Sequence, residues 1–132
     1  MVIHLLDSDV CIPFLKGADK ALRDRILAMP EDELALCSVV KAELIFGARH
    51  SRQVDANLER LAEFFGLFRS LPFDDAAAEH YGMARAILER GGTPIGGNDL
   101  LIASIALAGD ATLVTRNVGE FGRVAGLRVE RW

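Results

Sequence analysis

Short apolar runs alternate with helix-patterned stretches along this chain, with no hairpin signal between them, and that alternation limits the folds open to it. Val2–Leu6, Leu34–Cys37, Ser70–Phe73 and Ala111–Thr115 have strand length, and Leu127–Val129 reads as a last edge strand. The stretches between them read as helices. One follows Asp7-Ser8 through Leu15, with Pro13 leaving its start unsettled. Another runs from Asp19 to Met29 and stops at Pro30. Ser38 is an N-cap candidate for a helix through about Arg49. Val54–Phe68 carries Leu58, Leu61, Ala62, Phe65 and Phe68 on one side. Asp74 caps a helix to Arg90 that Gly91-Gly92 closes, and Asn98 or Asp99 opens a helix so apolar that it must be buried on most sides.

Strands joined through helices pair in parallel, and a parallel sheet needs cover on both faces. The expected fold is α/β: a three-layer α/β/α sandwich around a mainly parallel sheet of four to five strands. Residues 1–132 form one domain, with no repeat or linker to divide them.

Apolar residues make up 51% of the chain, enough for a substantial core, and the formal net charge of −4 does not advertise nucleic-acid affinity. A chain of this charge that handles phosphodiesters needs a local basic patch, a basic partner or metal ions. Cys11 and Cys37 form no C-x-x-C pair and read as buried thiols in a reducing cytosol. The first residues reach Asp7 too soon for a signal peptide, and the longest apolar run, Leu100 to Gly109, is too short to span a bilayer. No membrane association and a cytoplasmic location are expected.

In open parallel sheets, ligands bind beyond the carboxyl ends of the strands. Asp7 follows the first strand directly, Glu43 lies in the second turn of the helix after the second strand, Asp99 lies at the start of the apolar helix, and Arg116-Asn117 follow Leu113–Thr115. Asp7 and Asp99 could each simply cap a helix start. Glu43 projects beside Val39, Val40, Phe46 and Gly47, an apolar stripe, while Lys41 points away. A buried carboxylate needs a cation or a donor, and the structural alternative is an ion pair with Arg85 or Arg116. Converging carboxylates with no His or Cys nearby suit Mg²⁺ or Mn²⁺, hard ions that prefer oxygen ligands. Such a site fits phosphodiester hydrolysis.

Four segments then carry a family likeness: I-H-L-L-D-S-D-V around Asp7, V-V-K-A-E-L-I-F-G-A around Glu43, P-I-G-G-N-D-L-L-I-A-S around Asp99 and L-V-T-R-N-V-G-E-F around Asn117. Together with the closing G-L-R-V-E-R-W, their order and spacing resemble the PIN-domain toxins of the VapC type over nearly the whole chain. The resemblance implies a PIN fold and a Mg²⁺- or Mn²⁺-dependent endoribonuclease, with tRNA among the substrates of relatives. It also implies control by a small cognate antitoxin and a homodimer, commonly within a larger toxin–antitoxin complex on operator DNA. Asp7, Glu43 and Asp99 match the family's acidic metal ligands. At the fourth position, where many PIN domains have Asp, this chain has Asn117, a neutral ligand that weakens any second metal site.

Glu120 either reaches the same space, if a helical turn begins at Asn117, or is a solvated loop acid. Thr115 and Ser8 are either hydroxyls lining the site or capping groups. Arg116 and Arg85 are the basic residues nearest in expectation, each either an RNA contact or half of an ion pair. Asp9 is expected to face solvent, and His4, His50 and His80 are expected to have no catalytic role. Phe64, Phe65 and Phe68 read as core or dimer interface. Two other functions compete: a haloacid-dehalogenase-like phosphatase with Asp7 as nucleophile and Asp9 as general acid, and a PIN module that binds RNA or a partner without cutting it. The phosphatase lacks its later G-D-x-x-x-D pair here.

Overall fold

A computed structural model describes residues 1–132. The strands are β1 (His4–Leu6), β2 (Leu34–Cys37), β3 (Arg69–Leu71), β4 (Thr112–Val114) and β5 (Val129–Glu130). The helices are α1 (Ser8–Lys16), α2 (Lys20–Ala28), α3 (Ser38–Arg49), α4 (Val54–Phe65), α5 (Asp75–Arg90), α6 (Gly97–Ala108) and α7 (Val118–Phe121), with a 3₁₀ turn at Glu31–Glu33. All five strands pair in parallel, in the order β3-β2-β1-β4-β5. The expected α/β architecture with a four- to five-stranded sheet is the one found.

Burial explains why the central strands read as unbroken apolar runs. Leu5, Leu6, Leu36, Leu113 and Val114 have no exposed surface, because helices cover both faces of the sheet. The chain moves from β1 outward to β2 and β3, then returns past β1 to β4 and β5. Parallel crossovers are right-handed, so α1–α4 cover one face and α5–α7 the other. The direction reverses between β1 and β4, which opens a crevice at their carboxyl ends. α5 packs along α6, and α6 buries the consecutive run Ile102–Ala106.

Several boundaries differ from the sequence reading for local reasons. β3 ends at Leu71 instead of reaching Phe73, because Pro72 has no N–H to offer the ladder. α4 ends at Phe65, with Gly66 as its cap, and does not run on to Phe68. Ser38 is the first residue of α3 and not its cap; Cys37, still extended at φ −135°, holds that position without a side-chain bond. α6 is capped by Gly96, so Asn98 and Asp99 lie inside its first turn and their side chains are not spent on capping. Pro13 is accommodated within α1, which closes on Gly17 at φ 65°. The cap at Asp74 is as expected, with Ala77 N donating to Asp74 Oδ1 at 2.9 Å.

Candidate active site

Asp7 stands at the mouth of the crevice between β1 and β4. Its backbone N–H donates to Val114 O at 2.9 Å, extending the β1–β4 ladder one step beyond Leu6. The side chain is only 4% exposed. Oδ1 accepts Ser8 N–H at 2.8 Å and Oδ2 accepts the Thr115 hydroxyl at 2.8 Å, so Asp7 caps α1 and is also oriented by β4. Burial pushes its carboxyl up to about 6, against the pull of the Thr115 bond, and the nearby Asp9 and Asp99 charges add to the rise.

Glu43 is half-buried and points toward the same mouth. The core face of α3 is Val40, Leu44 and Ala48, so the stripe holding Glu43 is not the core stripe expected from the sequence. It is a second apolar face that lines an open groove, with Phe46 68% exposed. The helical projection placed Glu43 beside the right neighbours, but exposure depends on which face the rest of the chain covers. Glu43 Oε1 accepts the Ser8 hydroxyl at 3.4 Å. Burial, then the Asp7 charge, raises its carboxyl above the ordinary range.

Asp99 is half-buried in the first turn of α6, and burial pushes it up to about 6, with Glu120, Glu43 and Asp9 contributing. A methyl group built on Gly96 would lie 3.7 Å from Asp99 Oδ2 and 3.8 Å from Glu120 Oε1, so both acids border Gly96. Glu120 is held there: its Oε1 accepts Gly96 N–H at 2.7 Å and its Oε2 accepts the Asn117 amide at 2.8 Å. The Gly96 bond foremost keeps its carboxyl below the usual range. Asn117 therefore acts as a donor that positions Glu120, and its backbone N–H donates to Thr115 Oγ1 at 3.1 Å.

Arg116 turns away and pairs with Asp19 at 2.6 Å, the structural alternative for that residue. Arg85 pairs with Glu89 on α5 and bonds the Tyr81 hydroxyl. The ion pairs of the structure are His4–Glu130, Arg85–Glu89, Arg116–Asp19 and Arg128–Asp110. None involves Asp7, Glu43, Asp99 or Glu120, so the expected alternative of an arginine partner for Glu43 is not realised. Both cysteines are buried and free.

Asp9 corrects the sequence reading in part. It lies in the first turn of α1 as expected and is partly exposed, but its carboxylate turns to the end of β4: both oxygens lie 3.2 Å from Arg116 N and approach Thr115 Oγ1 at 3.3 and 3.4 Å. A two-residue step within a helix would turn it well away from Asp7. Asp7, however, is a cap with extended backbone (φ −75°, ψ 160°), so helical rotation does not apply across it. The D-x-D spacing across a helix start was the available signal.

The donor set is all oxygen: carboxylates from Asp7, Glu43, Asp99 and Glu120 with hydroxyls of Ser8 and Thr115. That chemistry fits Mg²⁺ or Mn²⁺. No three of these acids stand close enough together to enclose an ion.

Comparison with known proteins identifies the family. The sequence matches the PIN domain over residues 4–127. It is 37% identical to the tRNA(fMet)-specific endonuclease VapC of Shigella flexneri, across 100% of this chain and 99% of that protein. It is 36% identical to Ribonuclease VapC2 of Rickettsia felis, across 99% and 98%. The fold superposes with a TM-score of 0.93 on VapBC2 from Rickettsia felis bound to a promoter DNA fragment, at 33% identity and 99% coverage of each chain. DNA-bound VapBC from Salmonella typhimurium gives 0.93 at 35% identity, covering 100% and 99%. These full-length relations displace the phosphatase reading of Asp7 and Asp9. The chain belongs to the PIN-domain ribonucleases of the VapC type, the toxins of toxin–antitoxin systems.

Proposed function

We propose that this ribonuclease is a Mg²⁺- or Mn²⁺-dependent endonuclease in which Asp7, Glu43 and Asp99 hold the ion, with Glu120 and Asn117 at the fourth position. One observation carries this reading: half-buried and buried carboxylates gather at the sheet's switch point, and no lysine or arginine pairs with any of them. Uncompensated acids of that kind repel one another until a cation joins them. When bound, a divalent ion lowers the pKa of water and neutralises charge on the phosphate. The chain's own groups do the rest. Thr115 and Ser8 orient Asp7, Ser8 orients Glu43, and Asn117 with Gly96 fixes Glu120.

A tRNA substrate is the best-supported choice, because the Shigella flexneri and Salmonella typhimurium relatives are tRNA(fMet)-specific endonucleases. Sequencing the RNA ends made on induction, with Asp7→Ala as control, tests it. New ends confined to one tRNA and absent from the variant are expected; ends unchanged by Asp7→Ala would reject it.

The partner follows from the relatives that form VapBC complexes bound to DNA. A cognate antitoxin fits the apolar groove of about 730 Å³ beside Glu43, lined by Ile12, Val39, Ala42, Phe46 and Leu101. Exposed Met83 and Ile87 on α5 offer apolar surface for a homodimer, the unit that would join antitoxin on operator DNA. No helix is long and apolar enough to cross a membrane.

A further inference from the structure

Asp9 is not accounted for by the acidic set above. Its carboxylate sits beside the Thr115–Arg116 backbone, where β4 ends and the crevice opens. An ionised carboxylate offers about four acceptor positions across its two oxygens. Here the single good donor is Arg116 N–H, 3.2 Å from each oxygen. The Thr115 hydroxyl lies 3.3 and 3.4 Å away but has one proton, and Asp7 takes it at 2.8 Å. No lysine, arginine or histidine pairs with Asp9.

Asp9 also stands beside Asp7: the one Thr115 hydroxyl lies 2.8 Å from Asp7 Oδ2 and 3.3 and 3.4 Å from the two Asp9 oxygens. At the fourth position Asn117 brings no charge, and the Glu120 it holds is bonded on both oxygens, by Gly96 N–H and the Asn117 amide.

We propose that Asp9 is a further metal-binding residue of this active site, adding from the start of α1 a carboxylate to those of Asp7, Glu43, Asp99 and Glu120. This rests on the divalent-metal reading of Asp7, Glu43 and Asp99. The D-S-D sequence then works as a unit: Asp7 is the buried, hydroxyl-oriented acid, and Asp9 is the more open one at the rim of the same mouth. Asp9 has one alternative role, as an acceptor that pins Arg116 N–H and nothing more.

Asp9→Asn separates the two roles. The amide oxygen still accepts Arg116 N–H and the shape is kept, so only the charge is removed. The probe is Mn²⁺ alone, added to the full chain and read as free Mn²⁺ by electron paramagnetic resonance, with RNA absent. Wild type should bind Mn²⁺, and Asp7→Asn should lose it. Asp9→Asn should bind at least about tenfold more weakly, the scale for losing a group that supports a metal site. Thermal melting gives a second reading: Mn²⁺ should raise the Tm of Asp9→Asn less than that of wild type. If Asp9→Asn binds Mn²⁺ within twofold of wild type while Asp7→Asn does not bind, Asp9 is a backbone acceptor only and the inference fails alone. If wild type itself does not bind Mn²⁺, the metal reading fails and takes the inference with it.

Discussion

Thr115 Oγ1 donates a 2.8 Å hydrogen bond to Asp7 Oδ2, joining the end of β4 to the end of β1 across 108 residues of sequence. Both residues are buried, Thr115 completely. The bond fixes the most enclosed acid of the site and holds its ionised form against the desolvation that burial imposes.

Thr115→Val keeps the shape and removes the donor. The Asp7 carboxyl should then rise further above about 6, and Asn117 N–H loses its acceptor. Ribonuclease activity at neutral pH should fall, and the acid limb of the pH–rate profile should move to higher pH. Stability should drop by about 1.5–3 kcal/mol, the scale of a hydrogen bond to a charged group. Thr115→Ser should restore the profile. An unchanged acid limb in Thr115→Val would show that the hydroxyl does not tune Asp7.

The raised carboxyl of Asp7 also gives the metal-free protein a defined pH dependence. Between about 4 and 6 the folded state keeps a proton that the unfolded chain releases, so stability falls as pH rises through that window. Below it the penalty is absent, and above it the penalty is complete. For buried Asp7 that penalty is on the order of 3 kcal/mol. Half-buried Asp99 acts in the same direction. Asp7→Asn should therefore melt higher than wild type at pH 7.5 without metal, with the gap closing by pH 4. A gap that is independent of pH would contradict this.

Arg116 should prove structural. Its guanidinium is engaged by Asp19, the cap of α2, whose carboxyl is held low first by Leu22 N–H and then by Arg116. Arg116→Ala should lower the Tm slightly and leave both kcat and KM for RNA within about twofold, as expected for a partly exposed pair. A selective rise in KM would instead make Arg116 an RNA contact.

Phe46 is exposed, and its neighbour Ile12 across the groove is 42% exposed. Phe46→Glu should abolish co-purification with a co-expressed cognate antitoxin while leaving RNA cleavage intact. Retained co-purification would place the antitoxin elsewhere. Because Phe46 stands outside the core cluster, no loss of stability is expected.

Most of the fold was legible because a parallel sheet covered on both faces forces continuous apolar runs, and Val2–Leu6, Leu34–Cys37 and Ala111–Thr115 show them. Boundaries were less legible where a single backbone group decides them, as at Pro72, Gly66 and Gly96. In the site, Asp7 was readable from its place after β1. Glu43 was placed among the correct neighbours, but a helix projection does not tell a core face from an open groove face. Asp9 was misread because its orientation depends on the extended backbone of Asp7, and the roles of Asn117 and Glu120 depend on Gly96, 24 residues before Glu120.

The central claim, that these acids work through a divalent ion, is tested most directly by assaying RNA cleavage with purified, antitoxin-free, chelator-treated protein before and after adding Mg²⁺. No cleavage before addition, full cleavage after it, and none in Asp7→Ala or Asp99→Ala are expected. Cleavage that persists in chelator, or survives the loss of Asp7 or Asp99, would contradict the claim.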